Sequence, residues 1–407
     1  MRDRAARAIA ECKLIAAMSE EPERITRRFL TPPTHDVHAH LRARMETLGM
    51  TVQVDAAGNL RGLWQPEGAP TKRLVLGSHI DTVPNGGAYD GVLGVVLALE
   101  WIALAQELAL PLAIEAIAFS EEEGVRFGVP FLGSRAVAGS FDPALLALQD
   151  ADGVTLEAAI RAFGIDPDRI QEAAVDARTL GFFEVHIEQG PELEAEGLSV
   201  AHVNGIVGQT RLSVKFSGQA NHAGTTSMHL RRDALAAAAE WITQVEALAL
   251  NTDGLVATVG KLTVEPNADN VVPGTARASL DVRHAHDDAR ASAVKALLAK
   301  AGTIAALRGL SIEWVRLLDQ PAVPMDERLT AFLADAIEAA GLPVRPMQSG
   351  AGHDAMVMAT RMPTAMLFLR SPGGISHHPA ETVLEEDVQA ALDVGRNFLA
   401  RIAAKVG

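Results

Sequence analysis

LVLGSHIDTVPNGGAYDGVLGVVLALEWIALAQELALPLAIEAIAF, residues 74–119, contains a strand, a helix and a second strand in succession. Leu74–Leu76 is a short aliphatic run typical of a buried strand. The segment from about Val92 to Leu108 predicts a helix, and Ile114–Phe119 predicts the next strand. Strand, helix and strand at this spacing indicate a βαβ unit, so we expect an α/β fold with a parallel or mixed sheet.

The flanking segments extend this sheet. Thr34 is a candidate cap for a helix that runs to about Leu48, and Thr51–Val54 with Asn59–Trp64 predicts a hairpin. Further elements follow from the same reasoning: a strand at Phe182–Ile187, a helix from about Glu327, a strand near Val344, a helix after His353, a strand at Ala365–Leu369 and a helix from about Glu386.

The pattern between these parts is different. Residues 210–319 predict the order β-α-β-β-α-β, which is a self-contained split βαβ layer. Its elements are a strand at Arg211–Ser217, a helix at about His229–Leu248, strands at Leu255–Val264 and Thr275–Arg283, a helix at about Asp287–Ala301 and a strand at Ser311–Leu318. We therefore predict an α+β domain at 210–321, inserted into a larger, discontinuous domain formed by 1–209 and 322–407.

The composition limits the classes of partner. The 407 residues are 48% hydrophobic and 21% charged, which is ordinary for a globular protein, and they suggest two domains. The 36 Lys and Arg against 51 Asp and Glu give a net charge of −15. A chain this acidic repels phosphate backbones and anionic lipid, so we expect neither nucleic acid nor a membrane as a partner.

Cys12 is the only cysteine, so an intramolecular disulfide and a cysteine-rich zinc site are both excluded. The most apolar stretch, from Val92 to Ala105, is interrupted by Glu100, and no run reaches the length of a membrane span. The first residues lack the apolar core of a signal peptide and predict an amphipathic helix. We expect a cytoplasmic enzyme.

Histidines and carboxylates cluster where strands end. His79 and Asp81 are two residues apart and point to the same side of an extended backbone, so Asp81 can hold one ring nitrogen of His79 while the other binds a metal. Asp90 lies after a glycine turn at the predicted start of a helix, and its two oxygens could bridge two cations. A capping aspartate beside a hydrogen-bonded histidine is the structural alternative.

Ser120-Glu121-Glu122-Glu123-Gly124 directly follows the strand Ile114–Phe119. Three acids on a loop usually form a solvated turn, but these lie at the carboxyl end of a buried strand, where open α/β sheets place their sites. Adjacent carboxylates repel one another, and a bound cation would relieve this repulsion. One glutamate could then bind the metal while its neighbour acts as a base.

Two more clusters follow later strands. They are His186-Ile187-Glu188-Gln189-Gly190-Pro191, and a glycine loop that carries Ser376-His377-His378 and Glu381. Neutral imidazoles with carboxylates suit Zn, Mn, Ni or Co. In the inserted domain, His222 has no neighbouring acid and is a better hydrogen-bond donor to an oxyanion than a metal ligand. Asn270 and Arg283 lie on or beside strands, where an arginine fork would suit a substrate carboxylate.

Together these motifs resemble the hydantoinase/carbamoylase amidase family, relatives of the di-zinc aminoacylases and carboxypeptidases. The matching segments, in the order of the family, are GSHIDTVPNGGAYDGVLGV, FSEEEGVRFG, HIEQGP, GQANHAGTT, GAGHDAM and GGISHHPAE. Within the family, LFLRSPGGISHHPAE and the acids after it are most similar to allantoate amidohydrolases. The fold implied is a di-zinc exopeptidase-like catalytic domain with an inserted α+β lid and dimerisation domain.

The resemblance also implies roles for individual residues. Two divalent cations, Zn or Mn with Ni or Co as further options, would share Asp90 as a bridge; the other implied ligands are His79 and His186 on one cation, and Glu123 and His377 on the other. Glu122 matches the general base, Asp81 the partner of His79, and His222 the transition-state donor. Positions implied to bind substrate are Gln189, Gln209, Asn270 and Arg283.

The function implied is hydrolysis of a linear ureido or carbamoyl C–N bond in a small molecule with a carboxylate, by a homodimer. Allantoate, with release of ammonia and carbon dioxide, is the first candidate. N-carbamoyl-L-amino acid hydrolase and β-ureidopropionase are alternatives, since they share nearly all the other motifs. A catalytically silent binding protein on the same fold is the alternative from a different class.

Overall fold

The computed structural model describes residues 2–406, and internal contacts divide the chain into two compact units. Unit 1 comprises Met1–Asn204 and Pro324–Gly407, and unit 2 comprises Gly205–Val323. The predicted insertion at 210–321 starts five residues later and ends two residues earlier than unit 2. Residues 1 and 407, at the ends of the predicted larger domain, lie outside the described residues.

The strands are numbered along the chain. They are β1 (Thr51–Val54), β2 (Leu60–Trp64), β3 (Arg73–His79), β4 (Ala113–Phe119), β5 (Thr179–Ile187), β6 (Val200–Ile206), β7 (Gly208–Ser217), β8 (Asn221–His222), β9 (Val256–Thr258), β10 (Leu262–Glu265), β11 (Val271–Val272), β12 (Thr275–His284), β13 (Ser311–Gln320), β14 (Val323–Pro324), β15 (Pro346–Ser349) and β16 (Thr364–Leu369).

The α-helices are numbered in the same way. They are α1 (Arg2–Ala16), α2 (Pro32–Thr47), α3 (Val92–Glu107), α4 (Leu132–Ala138), α5 (Leu156–Ala162), α6 (Glu192–Glu196), α7 (Ala234–Leu250), α8 (Asp287–Leu307), α9 (Glu327–Ala339), α10 (Asp354–Met358) and α11 (Glu385–Val406).

The large sheet has the strand order β1-β2-β4-β3-β5-β16-β6-β14, and β15 pairs with β6. Its centre is parallel, because β3 pairs in parallel with β4 and β5, and β5 pairs in parallel with β16. The β1–β2, β2–β4 and β16–β6 pairs are antiparallel. The predicted mixed α/β sheet is confirmed, and it places the ends of four neighbouring strands at one edge.

The central strands are buried because the sheet is covered. Every residue of β4 and β16 is buried, and so are almost all residues of α3. Trp101 on α3 stacks on Phe183 of β5 at 4.9 Å between ring centroids, and Phe398 of α11 packs on Phe183 at 4.7 Å. Parallel strands covered in this way are continuous aliphatic runs in the sequence, which explains why β4 could be predicted from it.

The start of α2 differs from the prediction. Thr31, not Thr34, is the residue before the first helical turn, and Thr34 is buried inside the helix. Pro32 and Pro33 occupy the first helical positions, where a residue without a backbone N–H loses no intrahelical hydrogen bond. The predicted cap at Thr34 was wrong, because Pro32 and Pro33 begin the helix and the cap position therefore falls on Thr31.

Unit 2 contains a sheet of order β10-β12-β7-β13, with β9 also paired to β12. One face packs against α7 and α8 through a separate apolar core that includes Phe216, Trp241, Val282 and Leu297. The predicted single strand at Leu255–Val264 is two strands, β9 and β10, which both pair with β12. Strand β13 pairs with β7 alone and forms an edge of this sheet.

No helix in the described part of the chain is long and apolar enough to cross a membrane.

Candidate metal centre

The side chains of the candidate site belong to unit 1 and follow neighbouring strands. His79 is the last residue of β3, and Glu121–Glu123 come directly after β4. His186 lies near the end of β5, and His377 is on the loop after β16. Because β4, β3, β5 and β16 are adjacent and parallel, their carboxyl ends meet at the same edge.

Asp90 forms the first group of candidate ligands with His79 and His186. Its Oδ1 lies 3.3 Å from Nε2 of His79 and 3.2 Å from Nε2 of His186, and the two Nε2 atoms are 3.5 Å apart. The Nδ1 atoms face carbonyl oxygens, at 3.1 Å from Asp81 and 2.9 Å from Ile187. Each Nδ1 therefore donates to a carbonyl, and Nε2 is the ring atom that each histidine directs towards Asp90 and could offer to a cation.

The second oxygen of Asp90 faces a second group, with Glu123 and His377. Nε2 of His377 lies 3.3 Å from Oδ2 of Asp90 and 3.4 Å from Oε1 of Glu123. Ligand atoms about 2.1 Å from a tetrahedral cation lie about 3.4 Å from one another. The separations in both groups therefore fit a divalent cation, and the two oxygens of Asp90 point to two such positions.

The backbone at Gly91 keeps Asp90 beside His79. Gly91 has φ +67°, and a Cβ on it would lie 2.5 Å from the imidazole ring of His79. A side chain at this position would therefore push the ring away from Asp90. On the other side of the site, Gln189 and His377 also have positive φ, 59° and 56°, which is uncommon for residues with a side chain.

The charges of the site are unbalanced without a cation. Burial raises the pKa of Glu122 well above its usual range, and it raises the pKa of Glu123 to about 7, where the charge of Asp90 adds to the effect. Burial also acts to raise the pKa of Asp90, but hydrogen bonds from His186, His377 and His79 hold it well below its usual value. The hydrogen bond to Asp90 raises the pKa of His377 to about 9. Protons on these groups stand in for the positive charge that cations would bring.

The three glutamates have different environments. Oε1 of Glu121 accepts the backbone N–H of Gly124 at 2.6 Å, whereas Glu122 and Glu123 form a group with His79. The carboxylate of Asp81 accepts the backbone N–H of Glu122 and of Glu123, both at 3.0 Å. Asp81 therefore positions both the ring of His79 and the loop of the glutamates, a second role that the sequence did not predict.

Gln189 and Ser376 both contact Asp90, which the sequence does not predict. Nε2 of Gln189 donates to Oδ2 of Asp90 at 2.9 Å, and Oγ of Ser376 donates to the same oxygen at 3.0 Å. Gln189 was expected to bind substrate, and the structure places its amide against a candidate ligand. Ser376 is next to His377 in the sequence, which is the only signal that could have indicated it.

The adjacent histidines of the glycine loop differ in their contacts. His377 faces Asp90 and Glu123, while Nδ1 of His378 accepts the backbone N–H of Ala380 at 3.1 Å. Only His377 belongs to a group of candidate ligands among the described residues. The contacts thus favour His377, as the resemblance did.

A third group, Glu184, His186 and His353, lies behind the site and is fully buried. Its polar atoms already have partners: Glu184 accepts from Oγ of Ser78 at 2.7 Å and from the backbone N–H of Ala355 at 2.9 Å, and His353 contacts Oγ of Ser349 at 2.8 Å. This group therefore supports the ring of His186.

In unit 2, His222 and Asn270 belong to neighbouring segments. His222 on β8 is paired with Val271 of β11, and the carbonyl of Asn270 accepts the backbone N–H of Ala223. Nδ1 of the exposed His222 accepts the backbone N–H of Gly224 at 3.0 Å and that of Thr225 at 3.2 Å. The neutral ring therefore carries its proton on Nε2, which is the form that can donate a hydrogen bond.

Gln209 and Arg283 are directly opposite each other on β7 and β12. Both bind Asp281: Nε2 of Gln209 donates to it at 2.6 Å, and the guanidinium of Arg283 donates through two nitrogens at 3.0 and 3.1 Å. Arg211 donates to the same carboxylate at 2.9 Å. The carboxylate of Asp281 therefore binds Gln209, Arg211 and Arg283 together. The sequence did not single out Asp281 or Arg211.

Residues 75–401 match the model of peptidase family M20/M25/M40. Allantoate deiminase from Arabidopsis thaliana is 36% identical over 422 residues, which cover 94% of this chain and 80% of that protein. N-carbamoyl-L-amino acid amidohydrolase from Geobacillus stearothermophilus is 38% identical over 373 residues, 91% of each chain. A solved amidase of the hydantoinase/carbamoylase family from Burkholderia multivorans superposes with a TM-score of 0.92 and 32% identity, over 98% of this chain and 97% of that one.

Proposed function

Because the chain belongs to peptidase family M20/M25/M40 and, within it, to the hydantoinase/carbamoylase amidases, we propose that it hydrolyses a linear ureido C–N bond of allantoate. Membership of this family makes the protein a metal-dependent hydrolase of carbon–nitrogen bonds. Two divalent cations, their ligands and the choice of allantoate are the parts that we propose.

The observation that carries the proposal is the placement of Asp90. One carboxylate oxygen faces His79 and His186, and the other faces His377. This arrangement supports a pair of cations that share Asp90, with Glu123 as a further ligand of the second. Imidazole and carboxylate ligands without thiolates suit Zn or Mn, and they also accommodate Ni or Co.

In the proposed mechanism, cations held by these residues would supply a water of lowered pKa and would polarise the ureido carbonyl. Glu122 accepts the proton of the attacking water and returns it to the leaving nitrogen. Water adds to the carbonyl carbon and the C–N bond breaks, so that the protonated nitrogen leaves as an amine and the carbonyl carbon is released as carbamate, which decomposes to ammonia and carbon dioxide.

We propose that side chains of unit 2 bind the substrate. Nε2–H of His222 would donate to the carbonyl oxygen as negative charge develops on it. Arg283, with Gln209 and Asn270, would bind the substrate carboxylate, because a guanidinium matches the two oxygens of a carboxylate. From the same family resemblance, we also propose that unit 2 acts as a lid.

The structure explains why an arginine and two acids occur in the segment that favours allantoate, which is LFLRSPGGISHHPAE with the acids after it. Arg370 binds Asp387 through two nitrogens at 2.8 and 2.7 Å and Glu386 at 2.9 Å, at the start of α11. The arginine and the acids therefore hold the glycine loop to a helix and do not need to touch substrate. N-carbamoyl-L-amino acids remain the second candidate, because a relative with that activity is 38% identical.

We also propose that the protein is a homodimer formed through unit 2. Strand β13 is an edge strand, and Trp314, Val315 and Leu317 on it are 47%, 58% and 65% exposed. An open edge with apolar side chains is a suitable surface for a second copy of the chain. A cytoplasmic location is proposed from the single, buried cysteine, which fits a reducing compartment.

Steady-state assays on a panel of substrates test the proposed function. The apoprotein is loaded with Mn or with Zn and assayed on allantoate, N-carbamoyl-L-amino acids, N-carbamoyl-β-alanine, N-acetyl amino acids and dipeptides. Ammonia is measured for the ureido compounds, and free amino acid for the others. We expect the highest kcat/KM on allantoate.

Three outcomes separate the alternatives. A higher kcat/KM on N-carbamoyl-L-amino acids or on N-carbamoyl-β-alanine would assign the protein to those activities instead. Turnover only of N-acetyl amino acids or dipeptides would refute the ureido substrate. A protein that takes up no Mn or Zn and turns over none of these compounds would support a binding protein without catalysis.

A further inference from the structure

Among the described residues, Glu381 belongs to none of the groups of candidate ligands, but it contacts the segment that carries Asp90. Its side chain is buried, with 5% exposure, and it comes four residues after His377 on the glycine loop. Oε1 accepts the backbone N–H of Tyr89 at 2.9 Å and the backbone N–H of Asp90 at 3.0 Å. One carboxylate oxygen therefore holds the main chain of the residue that faces both cation positions.

The contact is too close for any other residue at Gly87. A Cβ on Gly87 would lie 2.2 Å from the carboxyl carbon of Glu381, so a side chain there would displace the carboxylate. The glycine turn before Asp90 and the carboxylate of Glu381 thus fit each other directly. This close contact fixes the position of the glycine turn relative to the loop that carries His377.

The loop on the other side is also ordered by local hydrogen bonds. The backbone N–H of Glu381 donates to the carbonyl of His378 at 3.0 Å, and Nδ1 of His378 accepts from Ala380. These bonds close a turn over residues 378–381, directly after His377. Glu381 reaches the main chain of Asp90, while His377 reaches its Oδ2.

We infer that Glu381 is a positioning residue that holds Asp90 and His377 at the separation required by the second cation. The inference rests on the proposed function, because it assumes that Asp90 and His377 bind that cation. In this role Glu381 acts through the main chain of Asp90. What it supplies is a hydrogen-bond acceptor, so an amide oxygen at the same place should replace it.

Titration of the apoprotein with Mn²⁺, followed by calorimetry and by the electron paramagnetic resonance signal of free Mn²⁺, tests this role. We expect two tightly bound ions in the wild type. In Glu381→Ala, one of them should bind about 10- to 100-fold more weakly, the usual effect of losing a residue that orients a metal ligand. In Glu381→Gln, both should bind within a few-fold of the wild-type affinity, because the amide oxygen still accepts both N–H groups.

Asp150→Ala is the matched control. Oδ1 of Asp150 also accepts two backbone N–H groups, of Asp152 at 3.0 Å and of Val154 at 2.9 Å, in a loop that carries no candidate ligand. This variant should lower the melting temperature of the apoprotein and leave both Mn²⁺ affinities unchanged. If Glu381 only stabilised the fold, Glu381→Ala would resemble Asp150→Ala, with a lower melting temperature and unchanged Mn²⁺ affinities.

Unchanged affinity for both ions in Glu381→Ala, or an equal loss in Glu381→Gln, would overturn the inference. If Glu381→Ala does not fold, Glu381→Asp replaces it. The aspartate keeps the negative charge but is too short to reach both N–H groups, so this variant should bind Mn²⁺ more weakly than Glu381→Gln. The reverse order of affinities would overturn the inference. If the wild type binds Zn²⁺ but not Mn²⁺, the same variants are compared with Zn²⁺, and a wild type that binds neither ion would refute the proposed function.

Discussion

Asp90 is the residue on which most of the site depends. Its side chain is almost entirely buried, and five different side chains contact its two oxygens: His79, His186, Gln189, Ser376 and His377. A buried carboxylate requires either hydrogen bonds or positive charge to remain ionised. The surrounding groups keep Asp90 anionic, so it can bind cations without first losing a proton.

The proposed base, Glu122, can be tested with the neighbouring Glu121 as a control. Glu122→Gln keeps the size of the side chain but cannot accept the proton of water, so kcat should fall by about 10²- to 10⁴-fold while the bound metal is retained. Glu121 accepts a backbone N–H, and burial raises its pKa well above the usual value, so the neutral Glu121→Gln should keep nearly full activity. Activity is measured as ammonia release, and bound metal by mass spectrometry.

Two results would contradict this assignment. If Glu122→Gln turned over at the wild-type rate, Glu122 would not be the base. If Glu121→Gln lost as much activity as Glu122→Gln, with metal retained in both, the different environments of the two glutamates would not determine their roles.

The strand ends were the most predictable elements. Strand β4 appears in the sequence as a continuous aliphatic run, and the acids directly after it mark the edge of the sheet. Shorter elements could not be predicted: β8 and β11 have two residues each, too few for any periodicity. Neither could the contact of Glu381 with Asp90, which joins residues 291 positions apart through a backbone N–H.

The edge strand β13 gives a prediction about assembly. Replacing Val315 and Leu317 with lysine should convert a dimer into a monomer, because lysine on an open strand opposes the addition of another strand. Analytical ultracentrifugation measures the change. Leu14→Lys is the control, since Leu14 is 48% exposed but lies on α1 in unit 1. A double variant that stays as dimeric as the wild type would exclude β13 from the interface.

Helix α2 carries a histidine that should make stability depend on pH. His38 is 6% exposed, its ring packs edge-on against Phe163, and burial lowers its pKa to about 4, to which the charges of His35 and Arg42 contribute. The pKa in the unfolded chain is about 6.5, so the unfolded state takes up the proton first. This contribution to stability is complete above pH 6.5 and is lost as the pH falls towards 4.

Between pH 7 and pH 5, His38 should account for about 2 kcal/mol of the fall in the free energy of unfolding. Urea denaturation of the metal-free protein at both pH values measures this fall, and His38→Gln should reduce it. An equal pH dependence in the wild type and in His38→Gln would show that His38 does not titrate in this way.

At the scale of the whole molecule, the candidate ligands come from positions 79 to 377 but all belong to unit 1. The insertion of unit 2 separates His186 from His377 in the sequence, and the pairing of β16 with β5 brings them together. The order of the motifs could indicate this arrangement, because each motif follows a strand. The separations between the ligand atoms could not be read from the order, since they depend on how the loops after the strands fold.

Removal of the metal should therefore affect the two units differently. A cation that binds only the folded state stabilises it by about 2.7 kcal/mol per site at a free concentration 100-fold above its dissociation constant. All candidate ligands and the strands that carry them are in unit 1, and unit 2 has its own apolar core around Trp241. Chelation should lower the melting temperature of unit 1 by several degrees and speed amide exchange in β3, β5 and β16, while α7, α8 and β7 exchange at an unchanged rate. Calorimetry and hydrogen–deuterium exchange with and without EDTA measure both effects. Equal changes in the two units would contradict the assignment of the cations to unit 1, since the described residues of unit 2 contain no group of candidate ligands.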